Sequence, residues 1–447
     1  MKAFAYRPIR EDLVTQACLE AYGAIHHEGR LSDRALEYVL RTKRHLYSNE
    51  RRAVAERVYS LLRHQLLVDF LAGKAFKGFE SLGSTRKDLF RLAISQVLDG
   101  DPADGVGRAL SLSADEVSAL KAAPNFKRDL ERLPSTMRLS IEASMPMFFA
   151  QKLERELGDE ALVAAHAMNI RGPLCVRANT LKITREALAE RLAKEEVITQ
   201  VTKLSPFGLI LETRQNAYSL PSFKEGLFEI QDEGSQLLGM LVDAPPRKVI
   251  DACAGAGGKT LQLAAQMKNR GELFALDIDE RRLEDLRLRA RRDGVHNVRV
   301  QLLPNDDAPA ALEETLAKLA GVERVLIDAP CSGSGTYRRK PDARYKLDAA
   351  MLEEHVERQK RLLGRFAPLV KPGGRVVYGT CSVLRDENEA VVEDFLSKNK
   401  DFSVTPAGKW LGEELTESCT RSGMLRLYPH RHGTDGFFGV VLERAKS

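Results

Sequence analysis

Two cysteines stand where an α/β protein could use a thiol for chemistry. Cys331 lies in the segment DAPCSGSGT (328–336) and Cys381 in YGTCSV (378–383), and each segment follows a run rich in β-branched apolar residues. Such runs predict buried parallel strands. Open α/β sheets place their reacting groups at the carboxyl ends of those strands. A thiolate is a strong nucleophile, so the two segments predict a site with a cysteine nucleophile.

A third segment, DACAGAGGKT (251–260), is typical of a strand end, a glycine loop and a helix start. It is not a Walker A loop, because Cys253 stands where the first glycine should be. The spacing of its glycines is also wrong for a dinucleotide fingerprint. A glycine turn still lets a ligand approach the backbone closely. Asp277 ends the next predicted strand, where a carboxylate can accept both hydroxyls of a ribose.

This loop therefore favours a nucleoside cofactor without a pyrophosphate, as class I methyltransferases bind S-adenosylmethionine. A carboxylate after the following strand could bond the adenine amino group. Asp306 is favoured for that contact, but the NDD run leaves Asp307 open.

A methyl donor, two thiols and the strand-end carboxylate Asp328 fit one reaction class. Cytosine C5 is a poor nucleophile, and thiolate attack at C6 turns the ring into an enamine that can take a methyl group at C5. A carboxyl group at N3 would stabilise the charge on the ring. Cys381 precedes a predicted helix near Arg385, and a helix N-terminus favours the thiolate.

The elements that must position these residues suggest three domains. Residues 1–145 repeat apolar residues at helical spacing and predict a helical domain. Residues 146–235 alternate short strands and helices, which predicts a small α+β module. Residues 236–447 predict an α/β fold with a doubly wound sheet of about seven strands.

Composition limits the function classes. The net charge of +5 permits a nucleic-acid partner without requiring one. The six cysteines form no CxxC pair and no zinc spacing, so we expect reduced thiols and no metal. The sequence carries no apolar run of about 20 residues and no secretory signal, so we expect a cytoplasmic protein without a membrane partner.

Several segments resemble successive motifs of the RNA (cytosine-5) methyltransferases of the Sun/Fmu (RsmB-like) family, over about residues 146–445. These segments are QDEGSQL (231–237), DACAGAGGKT, ALDIDERRL, VLIDAPCSGSGT, RRKPD, VVYGTCSVLRDENE and DGFFGVVLE (435–443). The resemblance implies that Cys381 attacks C6, that Cys331 aids proton removal and product release, and that Asp328 contacts the methyl donor and the base. It implies a cofactor site lined by Cys253, Ala254, Gly255, Ala256, Gly257, Gly258, Lys259, Asp277, Asp306 and Asp328. One departure is Ala256, where the family usually has proline.

The same resemblance implies an RNA partner, with small-subunit (16S) ribosomal RNA expected and tRNA as the alternative. The segment PLCVRANTLK (173–182) is similar to the family's small RNA-binding module, and RVYSLLRHQLLVDFLAG (57–73) is similar to a NusB-like RNA-binding domain. The residues expected near RNA are Arg177, Asn179, Lys182, Arg338, Arg339 and Lys340. We expect a monomer. A rival from another class is a non-catalytic RNA-binding ribosome assembly factor.

Overall fold

The computed structural model describes residues 8–212, 216–304 and 309–446, which fall into two compact units. The first unit holds the chain up to Ile170 together with Tyr337–Asp348. The second holds Arg171–Thr336 and the chain from Ala349 onward. Asp306 and Asp307 lie outside the described residues, so the adenine contact stays a prediction.

The first unit is helical, and its core forms where apolar residues recur on one helix face. Val54, Val58, Leu61 and Leu62 are buried together in its long central helix, as their spacing predicts. Its α-helices are α1 (Glu11–His26), α2 (Ser32–Thr42), α3 (Ser48–Ala75), α4 (Ser84–Leu98), α5 (Ala103–Ala109), α6 (Ala114–Ala122), α7 (Ser135–Glu142), α8 (Met147–Leu157) and α9 (Ala161–Ala167). Helices α8 and α9 pack with this compact unit, whereas the predicted domain boundary lies at residue 145 and stays a prediction.

The segment Tyr337–Asp348 returns to this helical unit and is anchored there by buried polar contacts. Asp342 accepts hydrogen bonds from the backbone N–H and the hydroxyl of Ser32. Arg344 is fully buried and donates to the side chain of Asn169 at 2.5 Å. Arg338, Arg339 and Lys340 of this segment were expected near RNA; Arg338 is buried, and its RNA contact stays a prediction.

The second unit begins with a small antiparallel sheet in the strand order β2-β3-β1-β4. Its strands are β1 (Leu174–Ala178), β2 (Thr199–Val201), β3 (Gly208–Leu211) and β4 (Phe228–Ile230), with helices α10 (Arg185–Lys194) and α11 (Pro221–Lys224). One face packs a compact apolar core that includes Val176, Leu188, Leu209 and Phe228. This is the α+β module that the alternating pattern predicts.

The large sheet follows. Its strands are β5 (Lys248–Asp251), β6 (Glu272–Asp277), β7 (Val298–Leu302), β8 (Val322–Asp328), β9 (Val370–Thr380), β10 (Phe402–Thr405), β11 (Thr420–Arg421), β12 (Met424–Leu427) and β13 (Phe437–Arg444). Its helices are α12 (Glu233–Met240), α13 (Gly258–Gln266), α14 (Glu280–Asp293), α15 (Pro309–Ala317), α16 (Ala349–Phe366), α17 (Glu389–Lys398), α18 (Gly408–Leu411), α19 (Glu413–Cys419) and α20 (Pro429–His432). Short 3-10 turns at Ser334–Thr336 and Arg385–Glu387 lie in the loops after β8 and β9.

The strand order is β7-β6-β5-β8-β9-β13-β12-β11. Strand β13 pairs with two strands on its outer edge, with β12 along its first half and with β10 along its second half. Strands β5 to β9 are parallel, and β13 runs antiparallel to β9. The predicted α/β fold class is confirmed, with nine strands among the described residues where about seven were expected. Within the described ranges, no helix combines the length and apolar character that a bilayer span requires.

The parallel strands bring the predicted motifs to one edge of the sheet. Asp251 ends β5, Asp277 ends β6 and Asp328 ends β8, while Cys381 directly follows β9. Because β5 lies between β6 and β8, and β9 pairs with β8, these strand ends are neighbours. This edge is where ligands bind in open α/β sheets.

Candidate active site at the carboxyl ends of the strands

The two predicted catalytic thiols lie in direct contact. The Sγ atoms of Cys331 and Cys381 are 3.4 Å apart, and both residues are half-buried. The hydrogen bond between the two thiols, together with burial, raises the pKa of Cys331 well above that of an ordinary thiol. The chain therefore brings together two cysteines that are 50 residues apart in sequence and puts a protonated thiol beside Cys381.

The loop that carries Cys331 is held firmly although it is rich in serine and glycine. The Gly335 amide donates to the carbonyl of Cys381 at 2.9 Å, and the hydroxyls of Ser334 and Ser382 are 2.9 Å apart. Gly335 also packs against backbone, since a Cβ there would lie 2.1 Å from the carbonyl oxygen of Gly436. These contacts fix the loop against the turn that follows β9.

Asp328 forms an ion pair with Lys259 across the same edge. Lys259 Nζ lies 2.6 Å from Asp328 Oδ2 and 5.5 Å from the ring centroid of Phe437. Burial lowers the pKa of Lys259, but the charge and hydrogen bond of Asp328 outweigh it, so the pKa is raised and the ammonium stays charged. The Asp328 side chain is 31% exposed, which leaves part of its carboxylate available to a ligand.

The glycine loop has the shape that a nucleoside cofactor needs. Gly255 (φ +52°) and Gly257 (φ +91°) adopt left-handed conformations that favour glycine. The Gly255 amide donates to Asp277 Oδ2 at 2.7 Å, which fixes the predicted ribose-binding carboxylate beside the loop. A Cβ built on Gly255 or Gly258 would meet no atom within 4 Å, so this side of the loop is open. The residues present therefore fit S-adenosylmethionine.

The remaining loop residues have structural partners. The Ala254 amide donates to the carbonyl of Leu276 at 2.9 Å, and the carbonyl of Ala256 accepts from Arg289 at 2.6 Å. Burial and the nearby carboxylates raise the pKa of Cys253 well above its usual value, which makes it a neutral thiol and not a nucleophile.

Sequence reasoning missed Asp251, the last residue of β5. Its side chain is buried and accepts a hydrogen bond from Thr260 at 2.7 Å. Burial raises its pKa to about 7. The available signal was an acidic residue directly before the glycine loop, at the end of a strand predicted to be fully buried.

The residues predicted near RNA in the small module have mainly structural contacts. Arg177 is 3% exposed and donates to Gln231 at 2.6 Å, and burial lowers its pKa to about 10. Asn179 is buried and donates to the carbonyls of Gly226 and Asp293 at 2.8 and 2.9 Å. Both side chains are buried against protein groups, and their predicted contact with RNA stays a prediction.

Lys182 is exposed, and its ammonium donates to two backbone carbonyls at 2.7 Å, those of Glu225 and Arg292. In the returning segment, Arg339 is half-buried and Lys340 is exposed. For these three residues an RNA contact stays a prediction.

The strand order, the glycine loop and the acidic ends of neighbouring strands together define a Rossmann-like methyltransferase. Solved structures support this class. One titled "Crystal Structure of PH0851" covers 98% of this chain and 100% of its own at 25% identity, with a TM-score of 0.76. A methyltransferase homolog from Pyrococcus horikoshii covers 70% of this chain and 99% of its own at 31% identity, with a TM-score of 0.59.

Comparison with known families narrows the class further. Residues 240–443 match the model of the 16S rRNA methyltransferase RsmB/F family, and residues 145–217 match the ferredoxin-like domain of RsmF/B-like methyltransferases. A Synechocystis protein named "Probable ribosomal RNA small subunit methyltransferase B" is 31% identical over 92% of this chain and 94% of its own length. A Xanthomonas campestris protein named "Ribosomal RNA small subunit methyltransferase B" is 31% identical over 68% of this chain and 67% of its own.

The chain belongs to the RsmB/F family of RNA methyltransferases. The resemblance found in its motifs is thereby confirmed. A Caenorhabditis elegans relative named "26S rRNA (cytosine-C(5))-methyltransferase nsun-1" is 32% identical over 64% of this chain and 44% of its own length. The likeness of the helical unit to NusB stays a prediction.

Proposed function

We propose that this protein transfers a methyl group from S-adenosylmethionine to C5 of a cytosine in small-subunit ribosomal RNA, through a covalent bond between Cys381 and C6. The observation that carries the proposal is the 3.4 Å pair of thiols beside the Lys259–Asp328 ion pair and the open glycine loop. The names of the relatives from Synechocystis and Xanthomonas campestris support the choice of RNA.

The reaction begins when the Cys381 thiolate attacks C6 and forms an S–C6 bond, which moves an electron pair toward C5. Asp328 is the carboxyl group available to the pyrimidine N3, and Lys259 beside it keeps that carboxylate oriented. S-adenosylmethionine, when bound, would supply an electrophilic methyl carbon to C5, and it would leave as S-adenosylhomocysteine with the electron pair of the broken methyl–sulfur bond. Asp277 would hold the ribose of this group, and the open side of Gly255 and Gly258 would admit it.

Release needs a base, since the proton on C5 must leave before the C6–S bond can break. As that bond breaks, its electron pair returns to the sulfur of Cys381. We assign Cys331 to this step, because its sulfur lies 3.4 Å from that of Cys381. The raised pKa keeps Cys331 protonated at rest, so the thiol must first give its proton to solvent, and the resulting thiolate is then a strong base that accepts the C5 proton.

The test is methyl transfer from labelled cofactor to purified RNA, with small-subunit rRNA, large-subunit rRNA and tRNA as separate substrates. Cys381→Ala should abolish transfer to the preferred RNA. Cys18→Ala is the matched control, because this cysteine is buried in α1 outside the site, and it should transfer at the wild-type rate. Wild-type transfer by Cys381→Ala would overturn the covalent route, and binding of RNA without any transfer would favour an assembly factor.

The target nucleotide can be found by bisulfite sequencing of RNA from a strain that lacks the protein. A cytosine of small-subunit rRNA that resists bisulfite conversion in the wild-type strain but is converted in the strain lacking the protein would identify the substrate. Loss confined to tRNA would move the same chemistry to that substrate. The cytoplasmic location and the monomeric state stay predictions.

A further inference from the structure

A buried carboxylate joins the two cysteine loops. Glu387 has no exposed surface and lies in the turn Arg385–Glu387, six residues after Cys381. Its Oε1 accepts the backbone N–H of Ser332 at 2.7 Å, and its Oε2 accepts the Ser332 hydroxyl. Ser332 directly follows Cys331, so the carboxylate from one loop binds the backbone of the other.

A second buried side chain completes this link from the helical layer. Gln359 of α16 donates through Nε2 to Glu387 Oε1 at 3.0 Å and to the carbonyl of Pro330 at 3.0 Å. Pro330 and Ser332 flank Cys331 on either side. Both neighbours of the thiol are therefore bonded to the Glu387–Gln359 pair.

The hydrogen bonds of Glu387 are directed at the loop that carries Cys331. Burying a carboxyl group costs several kcal/mol unless hydrogen bonds compensate for the lost water. The Ser332 amide, the Ser332 hydroxyl and the Gln359 side chain supply those bonds. Their geometry fixes the backbone on one side of the thiol.

We propose that Glu387 is a positioning residue, which holds Cys331 in contact with Cys381 by binding the backbone next to it. The catalytic consequence rests on the proposed function, in which Cys331 serves the release step. A displacement of about 1 Å at a reacting group can cost about 100-fold in rate. Loss of this link should therefore slow release and leave Cys381 bonded to RNA.

The test uses Glu387→Ala and Glu387→Gln in the full-length protein. Glu387→Ala should lower kcat at least tenfold, keep the KM for RNA within twofold, and accumulate a protein–RNA adduct on a denaturing gel. Glu387→Gln keeps an acceptor for the Ser332 amide, so it should restore most of kcat and remove most of the adduct. This rescue would not be expected if the residue mattered through its charge alone.

Glu389→Ala is the matched control. Glu389 lies two residues further along, and its carboxylate pairs with the buried Arg426 at 2.7 Å. The hydrogen bonds described for this carboxylate go to Arg426 and not to the Cys331 loop. This variant should lose thermal stability but form no adduct. If Glu387→Ala fails to fold, Gln359→Met removes the link from α16 and should shift kcat and adduct in the same direction.

A second measurement separates this proposal from the proposed function. Phenylarsine oxide binds two thiols that lie close together, so wild type should bind it and Cys331→Ala should not. Glu387→Ala should bind at least tenfold more weakly than wild type. If the wild type transfers no methyl group but Glu387→Ala still binds phenylarsine oxide more weakly than the wild type, the proposed function fails while the positioning role stands. Normal arsenical binding and adduct-free turnover in Glu387→Ala would overturn the positioning role.

Discussion

Replacing Gly257 with alanine tests whether the glycine loop has the shape that the site requires. Gly257 precedes α13 with φ +91°, and a Cβ there would lie 2.1 Å from Cδ1 of Leu286. The left-handed backbone costs an L-residue about 1–2 kcal/mol, and crowding of a packed side chain costs about 1–3 kcal/mol. We expect Gly257→Ala to lower the free energy of unfolding by about 3 kcal/mol.

The assay is urea unfolding of the full chain together with calorimetric titration of S-adenosylmethionine. The start of α13 carries Lys259, so a shift there should also weaken cofactor binding at least tenfold. Gly258→Ala is the control, because Gly258 has no positive φ and no atom within 4 Å of an added Cβ. It should leave stability unchanged while its methyl group obstructs the ligand side of the loop. Wild-type stability in Gly257→Ala, or an equal loss of unfolding free energy in both variants, would show that the left-handed backbone and the contact with Leu286 do not make Gly257 necessary.

Three further substitutions test other parts of the structure. Gly335→Ala should lower kcat at least tenfold in the methyl-transfer assay, because its Cβ would collide with the backbone of Gly436. Asp251→Asn should remove a pH dependence of urea unfolding. The pKa of Asp251 is raised from 3.8 to about 7, so between these pH values the native state keeps a proton that the unfolded state releases. The free energy of unfolding of the wild type should therefore fall by about 4 kcal/mol as pH rises from about 4 to 7. Arg344→Leu should destabilise the helical unit by about 3 kcal/mol in thermal or urea unfolding, because buried carbonyls lose their donor.

Each of these expectations has a contrary outcome. Normal turnover in Gly335→Ala would mean that the loop can move without consequence. Parallel pH profiles for wild type and Asp251→Asn would show that this carboxyl group titrates normally. Unchanged stability in Arg344→Leu would show that the returning segment is not anchored through its arginine.

The positions of the two cysteines in the fold could be predicted from the sequence because strand ends are easy to recognise. The runs before Cys331 and Cys381 are apolar and β-branched, so their strands could be placed to within a residue or two. Parallel strands bring their carboxyl ends together. The sequence could therefore place both cysteines at one edge of the sheet, where the structure has their sulfur atoms 3.4 Å apart.

The burial of the residues expected near RNA was harder to predict because burial is a tertiary property. Arg177 and Asn179 lie in polar-looking segments, but their partners Gln231 and Asp293 are 54 and 114 residues away. Arg338 belongs by sequence to the loop after β8, and the chain there returns to the helical unit. Local pattern carries no signal for contacts of this range.

The most direct test of the covalent mechanism is mass spectrometry of the adduct formed by Cys331→Ala with small-subunit rRNA and cofactor. The expected product is a nucleotide attached to the peptide that contains residue 381, with a methyl group on its cytosine. An adduct on another cysteine, or normal turnover with no adduct at all, would contradict the covalent mechanism.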